Sequence, residues 1–254
     1  MILVRSGVPS RMCCVAAGVV CALLSAGCSV SDRAKPISNT FLEDRDVTTV
    51  DSSLPFSHAW EDPKADYKKY TKVYFRSVSI DRLPPDAWKA SSSSFMTSQD
   101  DYVSEAKLLA KYFLDQLNAE VLEYPDGPIK VTDKADEHTL VFDFAFTELE
   151  FSHPIQNTGA LLVPVPGAAV LFSTISNPHV AMAGRVYDGK SGKLVGTLAD
   201  RKYPPTRLLD FNKVTVTSPN REICTYWAEE IAEALERDGF TTVGSRGIFK
   251  LLPW

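Results

Sequence analysis

Thr139-Leu140-Val141-Phe142-Asp143-Phe144-Ala145-Phe146-Thr147-Glu148-Leu149-Glu150-Phe151 is the stretch whose reading decides the fold. Leu140, Phe142, Phe144 and Phe146 recur at every second position, while Asp143, Glu148 and Glu150 fall on the other face or at the distal end. A period of two puts successive side chains on opposite faces of a strand, so this is a strand with one deeply buried face. Three phenylalanines on one face need an apolar layer to cover them, and the flanking sequence supplies candidates.

Downstream, Val180 to Tyr187 and Lys193 to Arg201 are β-rich runs separated by Asp188-Gly189-Lys190-Ser191-Gly192, a turn composition, and should pair as a hairpin. Ser218 and Pro219 then open a helix with Ile223, Trp227, Ile231 and Leu235 inward, closed by Gly239. Upstream, Asp100 to Val121 places Tyr102, Ala106, Leu109, Ala110, Phe113, Leu117 and Val121 on one helical stripe, and Ser98 and Asp101 are spaced as a capping box. Before it, Tyr70 to Ile80 is rich in β-branched and aromatic residues and stops at Leu83-Pro84-Pro85. The order strand, helix, strand, strand, strand, helix predicts an α+β domain: a mixed, mainly antiparallel sheet of about four strands with two helices packed on one face.

Within the hairpin, Gly184-Arg185-Val186-Tyr187-Asp188-Gly189-Lys190-Ser191 matches the phosphate-loop pattern letter for letter. That loop works only when a helix follows it directly, so that the helix N-terminus and the loop amides face the phosphates. Here Gly192 follows, and then Lys193-Leu194-Val195-Gly196-Thr197-Leu198-Ala199, which suits a strand. The match is read as a hairpin turn, and no nucleotide is expected.

Other chemistry is sparse. His58, His138, His153 and His179 are scattered without metal-ligand spacing, so no metal or other cofactor is expected. No GxSxG elbow occurs, and Cys224 falls mid-stripe on the second helix, where a thiol reads as a small buried hydrophobe. Glu148 and Glu150 could form a carboxylate pair, but read better as a solvated strand end. No catalytic residue is proposed, and the domain is expected not to be an enzyme.

The apolar segment from Gly159 to Ile175 is unusual in composition. It is broken by Pro164 and Pro166 and is too short for a spanning helix. Folded over the sheet it is an ordinary loop; exposed, Leu161, Leu162, Val163, Val165 and Phe172 would form a contact surface for a partner.

At the N-terminus, Arg5 and Arg11 precede an uncharged apolar run from Met12 to Leu24, followed by Ser25, Ala26 and Gly27. Those are the three regions of a signal peptide. Leu24-Ser25-Ala26-Gly27-Cys28 resembles the lipobox of bacterial lipoproteins, which implies cleavage before Cys28 and acylation of its sulfur. Each buried methylene contributes about 0.8 kcal/mol, so two or three acyl chains hold a protein firmly at a membrane. Ser29 stands where a retention signal would show Asp, which by the same resemblance points to the outer membrane. The expected organisation is therefore a signal peptide over 1–27, a lipidated cysteine and tether over 28–60, and one globular domain over 61–254. Thr40-Phe41-Leu42-Glu43-Asp44 stands out in the tether as an apolar patch suited to docking on the domain. Removal of residues 1–27 takes two arginines and no acid, moving the formal charge from −5 to −7, which argues against nucleic acid as a partner.

Phe41-Leu42, Asp66-Tyr67, Tyr70-Thr71-Lys72-Val73, Leu162-Val163-Pro164-Val165-Pro166, and Gly184 through Asp188 with Ser191-Gly192-Lys193 together resemble a bacterial predicted-lipoprotein family, domain of unknown function thirty-three thirteen, over most of residues 40–237. The resemblance implies an envelope lipoprotein and supplies no activity; only Cys28 carries a role over from it. The leading expectation is a non-enzymatic, lipid-anchored domain that binds a protein partner in the envelope, with residues 155–178 as the contact. A periplasmic enzyme or small-ligand-binding module is the alternative, and would require a concave pocket with convergent polar groups. A subunit of an envelope pore or secretion assembly is a third.

Overall fold

The alternation over 139–151 does produce a strand, β4 (Thr139–Glu150), and the rest of the domain is arranged around it. The computed structural model describes residues 41–42, 56–91, 96–123, 127–152, 178–204 and 217–236, all within the compact unit from Pro36 to Trp254. In chain order the remaining elements are β1 (His58–Glu61), β2 (Lys72–Ser79), α1 (Gln99–Leu122), β3 (Lys130–Val131), β5 (His179–Asp188), β6 (Leu194–Lys202) and α2 (Ser218–Glu236).

The sheet has six strands in the order β1-β6-β5-β4-β2-β3, not about four. The two unforeseen strands are edges of four and two residues, too short for an alternating pattern to show. His58 to Trp60, assigned from sequence to the tether, belong to β1, which pairs antiparallel with β6. Nor is the sheet mainly antiparallel. The β1–β6, β6–β5 and β5–β4 pairs are antiparallel, but β2 pairs parallel with both β4 and β3. The reason is topological: β2 is joined to both neighbours through α1, and a crossover helix returns the chain to the same end of the sheet before the next strand starts.

The seven residues of the α1 stripe are the seven that are buried, and Ser98 and Asp101 form the expected reciprocal cap. In α2, Ile223, Trp227, Ile231 and Leu235 are buried as their spacing required. Both helices cover the face of β4 that carries its phenylalanines. Phe113 of α1 lies 5.5 Å from the Phe144 ring, 6.0 Å from Phe146 and 6.0 Å from Trp227 of α2, tying sheet and helices at one point. Burial of each such side chain contributes about 1.5–3 kcal/mol.

Uninterrupted alternation would have carried Glu148 and Glu150 into that apolar layer behind Phe146. A register shift between Phe146 and Glu148 prevents it. The extra residue reverses the phase, so that Leu149 and Phe151 rejoin the core and the two glutamates go to the outer face. β2 makes the same adjustment between Phe75 and Val78.

Candidate functional site

The bulge in β4 sets up a polar group at one end of the sheet, where the chain leaves for residues 153–177. Glu150 is paired with His179 across the β4–β5 ladder. The His179 ring sits between the two glutamates, with Nε2 3.6 Å from Glu148 and Nδ1 3.7 Å from Glu150. Glu148 also takes the guanidinium of Arg201 from β6, an ion pair whose arginine side chain is only 15% exposed. Tyr203, just past β6, lies with its ring 5.4 Å from that of His179.

The same end is fastened from the helix side. The Asn220 side-chain amide, in the first turn of α2, donates to the Glu150 carbonyl at 2.9 Å and to the His179 carbonyl at 3.3 Å, bridging the last paired residues of β4 and β5. Tyr102 of α1 donates its hydroxyl to the Leu149 carbonyl at 2.9 Å, and the Phe151 amide donates to Ser91 Oγ at 3.0 Å. Three strands and both helices are thus tied together where the 153–177 segment begins and ends. Among the described residues there is no cluster of ligands that could hold a metal ion.

Glu148 and Glu150 are therefore not the solvated strand end expected from sequence but the acidic half of a clamp. Arg201, Tyr203 and Asn220 were missed. Arg201 lies in a strand found by alternation, yet nothing local reveals that it meets a glutamate 53 positions away. Asn220 looks like any residue of a helix first turn. Cys28 and the expected contact residues Leu161, Leu162, Val163, Val165 and Phe172 lie outside the described residues, as does His153.

The phosphate-loop match resolves as a hairpin turn. The Asp188 amide donates to the Lys193 carbonyl at 2.9 Å, Gly192 closes the turn at φ +68°, and strand β6 follows. Lys190 extends outward to Glu137 at 2.8 Å. Asp188 is a hub, accepting from Lys69 Nζ at 2.5 Å, Tyr70 OH at 2.8 Å, and the Ser191 amide and hydroxyl at 2.7 and 2.8 Å. Burial alone would raise its pKa, but those donors more than offset burial and hold the carboxyl well below the usual range. Cys224 is fully buried, and burial pushes its thiol pKa up.

A shallow apolar cleft lies between β1, β6 and the last turns of α2, lined in part by Phe56, Trp60, Leu198, Ile231 and Leu235. Glu61 stands at its edge with its pKa raised by burial. The cleft volume is about 40 Å³, room for a few waters and far below the roughly 300–1,000 Å³ of small-molecule sites.

A family model described as "Protein of unknown function (DUF3313)" matches residues 38–231. The chain belongs to the DUF3313 family. The match takes in every strand of the sheet, the clamp and most of α2. Among solved structures, this DUF3313 chain is similar to the PelC dodecamer from Paraburkholderia phytofirmans, at 9% identity and a TM-score of 0.34 over 68% of this chain and 95% of that one. A point variant of that dodecamer matches at 8% identity and a TM-score of 0.35 over the same shares. A likeness this weak carries no activity over to the DUF3313 chain. No curated protein matches it.

Proposed function

We propose that this DUF3313 protein is a cell-envelope lipoprotein, held at the outer membrane by acyl chains on Cys28, whose α+β domain binds a protein partner through the 155–178 segment without catalysing a reaction. The reading of the anchor rests on the run from Arg5 to Cys28. The partner reading rests on one observation above all: the Glu150 and His179 carbonyls are bridged by Asn220, while the His179 ring lies between the carboxylates of Glu148 and Glu150 and Glu148 is paired with Arg201. The segment that contains Leu161, Leu162, Val163, Val165 and Phe172 is thereby carried on a base tied to three strands and both helices, which lowers the ordering cost of binding. The apolar cleft, by contrast, lacks the volume and the convergent polar groups of a small-molecule site, which favours a protein partner over the enzyme or ligand-binding alternative.

The test is site-specific photocrosslinking in intact cells, with the probe placed at Leu162 or at Lys111, which is exposed on α1. A discrete protein adduct from Leu162 and none from Lys111 is expected. Equal adducts from both positions, or none from Leu162, would contradict the assignment. Deletion of residues 159–175 should abolish the adduct while leaving the thermal unfolding midpoint of the domain within a few degrees of the parent.

A further inference from the structure

The outer face of the sheet, opposite the helices, is covered at its centre by the chain's own N-terminal segment. Ala181 and Ala183 of β5 and Ala199 of β6 form a patch of small side chains, and Leu42 lies on it with 3% of its surface exposed. Phe41 stands beside it, with the Arg185 guanidinium 4.5 Å from the centre of its ring and that of Arg82 at 6.0 Å. One leucine sealed against alanines and one aromatic ring between two cations make a specific seat, because a bulkier residue at any of the three alanines would lift the leucine away.

We infer that Phe41 and Leu42 are a clip that fastens the segment following Cys28 to the outer face of the sheet, so that the free tether is residues 29–40 and not residues 29–60. This rests on the proposed lipidation for its consequence but not for the clip itself. A flexible run of residues 29–60 would typically span about 31 Å, and one of residues 29–40 about 19 Å. The clip therefore shortens the distance at which the domain stands from its lipid by about two fifths. It also fixes where the tether departs: from the middle of the outer face, between Arg82 and Arg185, and not from the edge strand β1.

Two measurements test this. In the unlipidated Cys28→Ser protein, trypsin can act at Arg33, before the clip, and at Arg45, just after it, whereas the Lys35–Pro36 bond resists it. Cleavage at Arg45 requires Leu42 to lift off the sheet, so it should be slower than cleavage at Arg33 by roughly tenfold or more, given what burial of a leucine contributes. Leu42→Asp should bring the two rates together. Equal rates in the parent protein, or no change in Leu42→Asp, would overturn the clip. In the lipidated protein reconstituted into phosphatidylcholine bilayers, a fluorophore at Asp143→Cys on the outer face should transfer energy to a lipid-surface acceptor more efficiently than one at Lys111→Cys on α1. Leu42→Asp should remove the difference. Equal transfer from both sites in the parent would overturn the short tether. Protein that never enters the bilayer fraction would refute the lipidation reading, while the trypsin result would still decide the clip.

Discussion

Trp227 of α2 donates its indole N–H to the carboxylate of Asp200 in β6 at 2.9 Å, and both side chains are buried. The same carboxylate accepts from the Ser57 amide at 3.2 Å and its hydroxyl at 2.5 Å, so one aspartate joins the second helix, the sheet and the residue before β1. Lys202, two residues along the strand, lies 3.8 Å from Asp200 and pairs with Glu230 of α2. A buried charge of this kind is tolerable only because every side of it is met by a donor.

Replacement of Asp200 by Ala leaves the Trp227 N–H and the Lys202 charge without their acceptor. The expected loss of folding free energy is about 3 kcal/mol, measured as a shift of the urea midpoint at constant slope. Ser57→Ala, which removes one donor at the rim, should cost about 1 kcal/mol or less. A loss under about 0.5 kcal/mol in Asp200→Ala would show that the aspartate does not hold the helix to the sheet.

Asp188 sets the acid limit. Its folded-state pKa is depressed below the unfolded value of about 3.9. The unfolded chain therefore takes up this proton more readily than the folded one. The stabilisation is complete above that value and is lost as pH falls through it towards the folded pKa. Asp188→Asn should be destabilised by about 1–3 kcal/mol at pH 7, and the gap between variant and parent should narrow as pH falls below about 4. Denaturant titrations at pH 7, 5 and 3 follow the trend; a constant gap would remove Asp188 from the account.

Three residues of the hairpin turn, of which Gly189 and Lys190 belong to the phosphate-loop match, should respond differently. A Cβ on Gly189 would stand 2.5 Å from the Asp136 carbonyl oxygen and 2.8 Å from that of Thr139, both backbone, so Gly189→Ala should cost about 1–3 kcal/mol through the close approach. Gly192 has open space around it but a positive φ, so Gly192→Ala should cost about 1 kcal/mol through the backbone alone, and Gly192→Asn less. Lys190→Ala touches only an exposed ion pair and should change stability by no more than about 0.5 kcal/mol. Thermal melts of the three variants give the order; a large effect at Lys190 would reopen the nucleotide reading.

Cys224 should stay unreactive towards thiol reagents in native protein and label at the rate of global unfolding, because the thiol is wholly buried and burial disfavours its thiolate. Rapid modification without denaturant, followed by mass spectrometry, would contradict the packing of α2.

Much of this was readable where a period repeats often enough to stand out. The α1 stripe was identified residue for residue, and the hairpin across Asp188 and Lys193 was found because its turn chemistry is local. What escaped depends on one residue or on distance. β3 is two residues held by parallel pairing with β2, and the bulge after Phe146 is a single insertion that no periodicity announces. The clamp joins Glu148, His179, Arg201 and Asn220 from four elements, and contacts of that range are set by the fold and not by any neighbouring letters.

The central claim is a lipoprotein fastened to a membrane through Cys28. Metabolic labelling with a palmitate analogue, followed by fractionation of cells that express the parent or Cys28→Ser, tests it most directly. The account expects label on the parent in the outer-membrane fraction, and no label and a shift to the soluble fraction in the variant. Label retained in Cys28→Ser, or the same membrane share for both proteins, would contradict it.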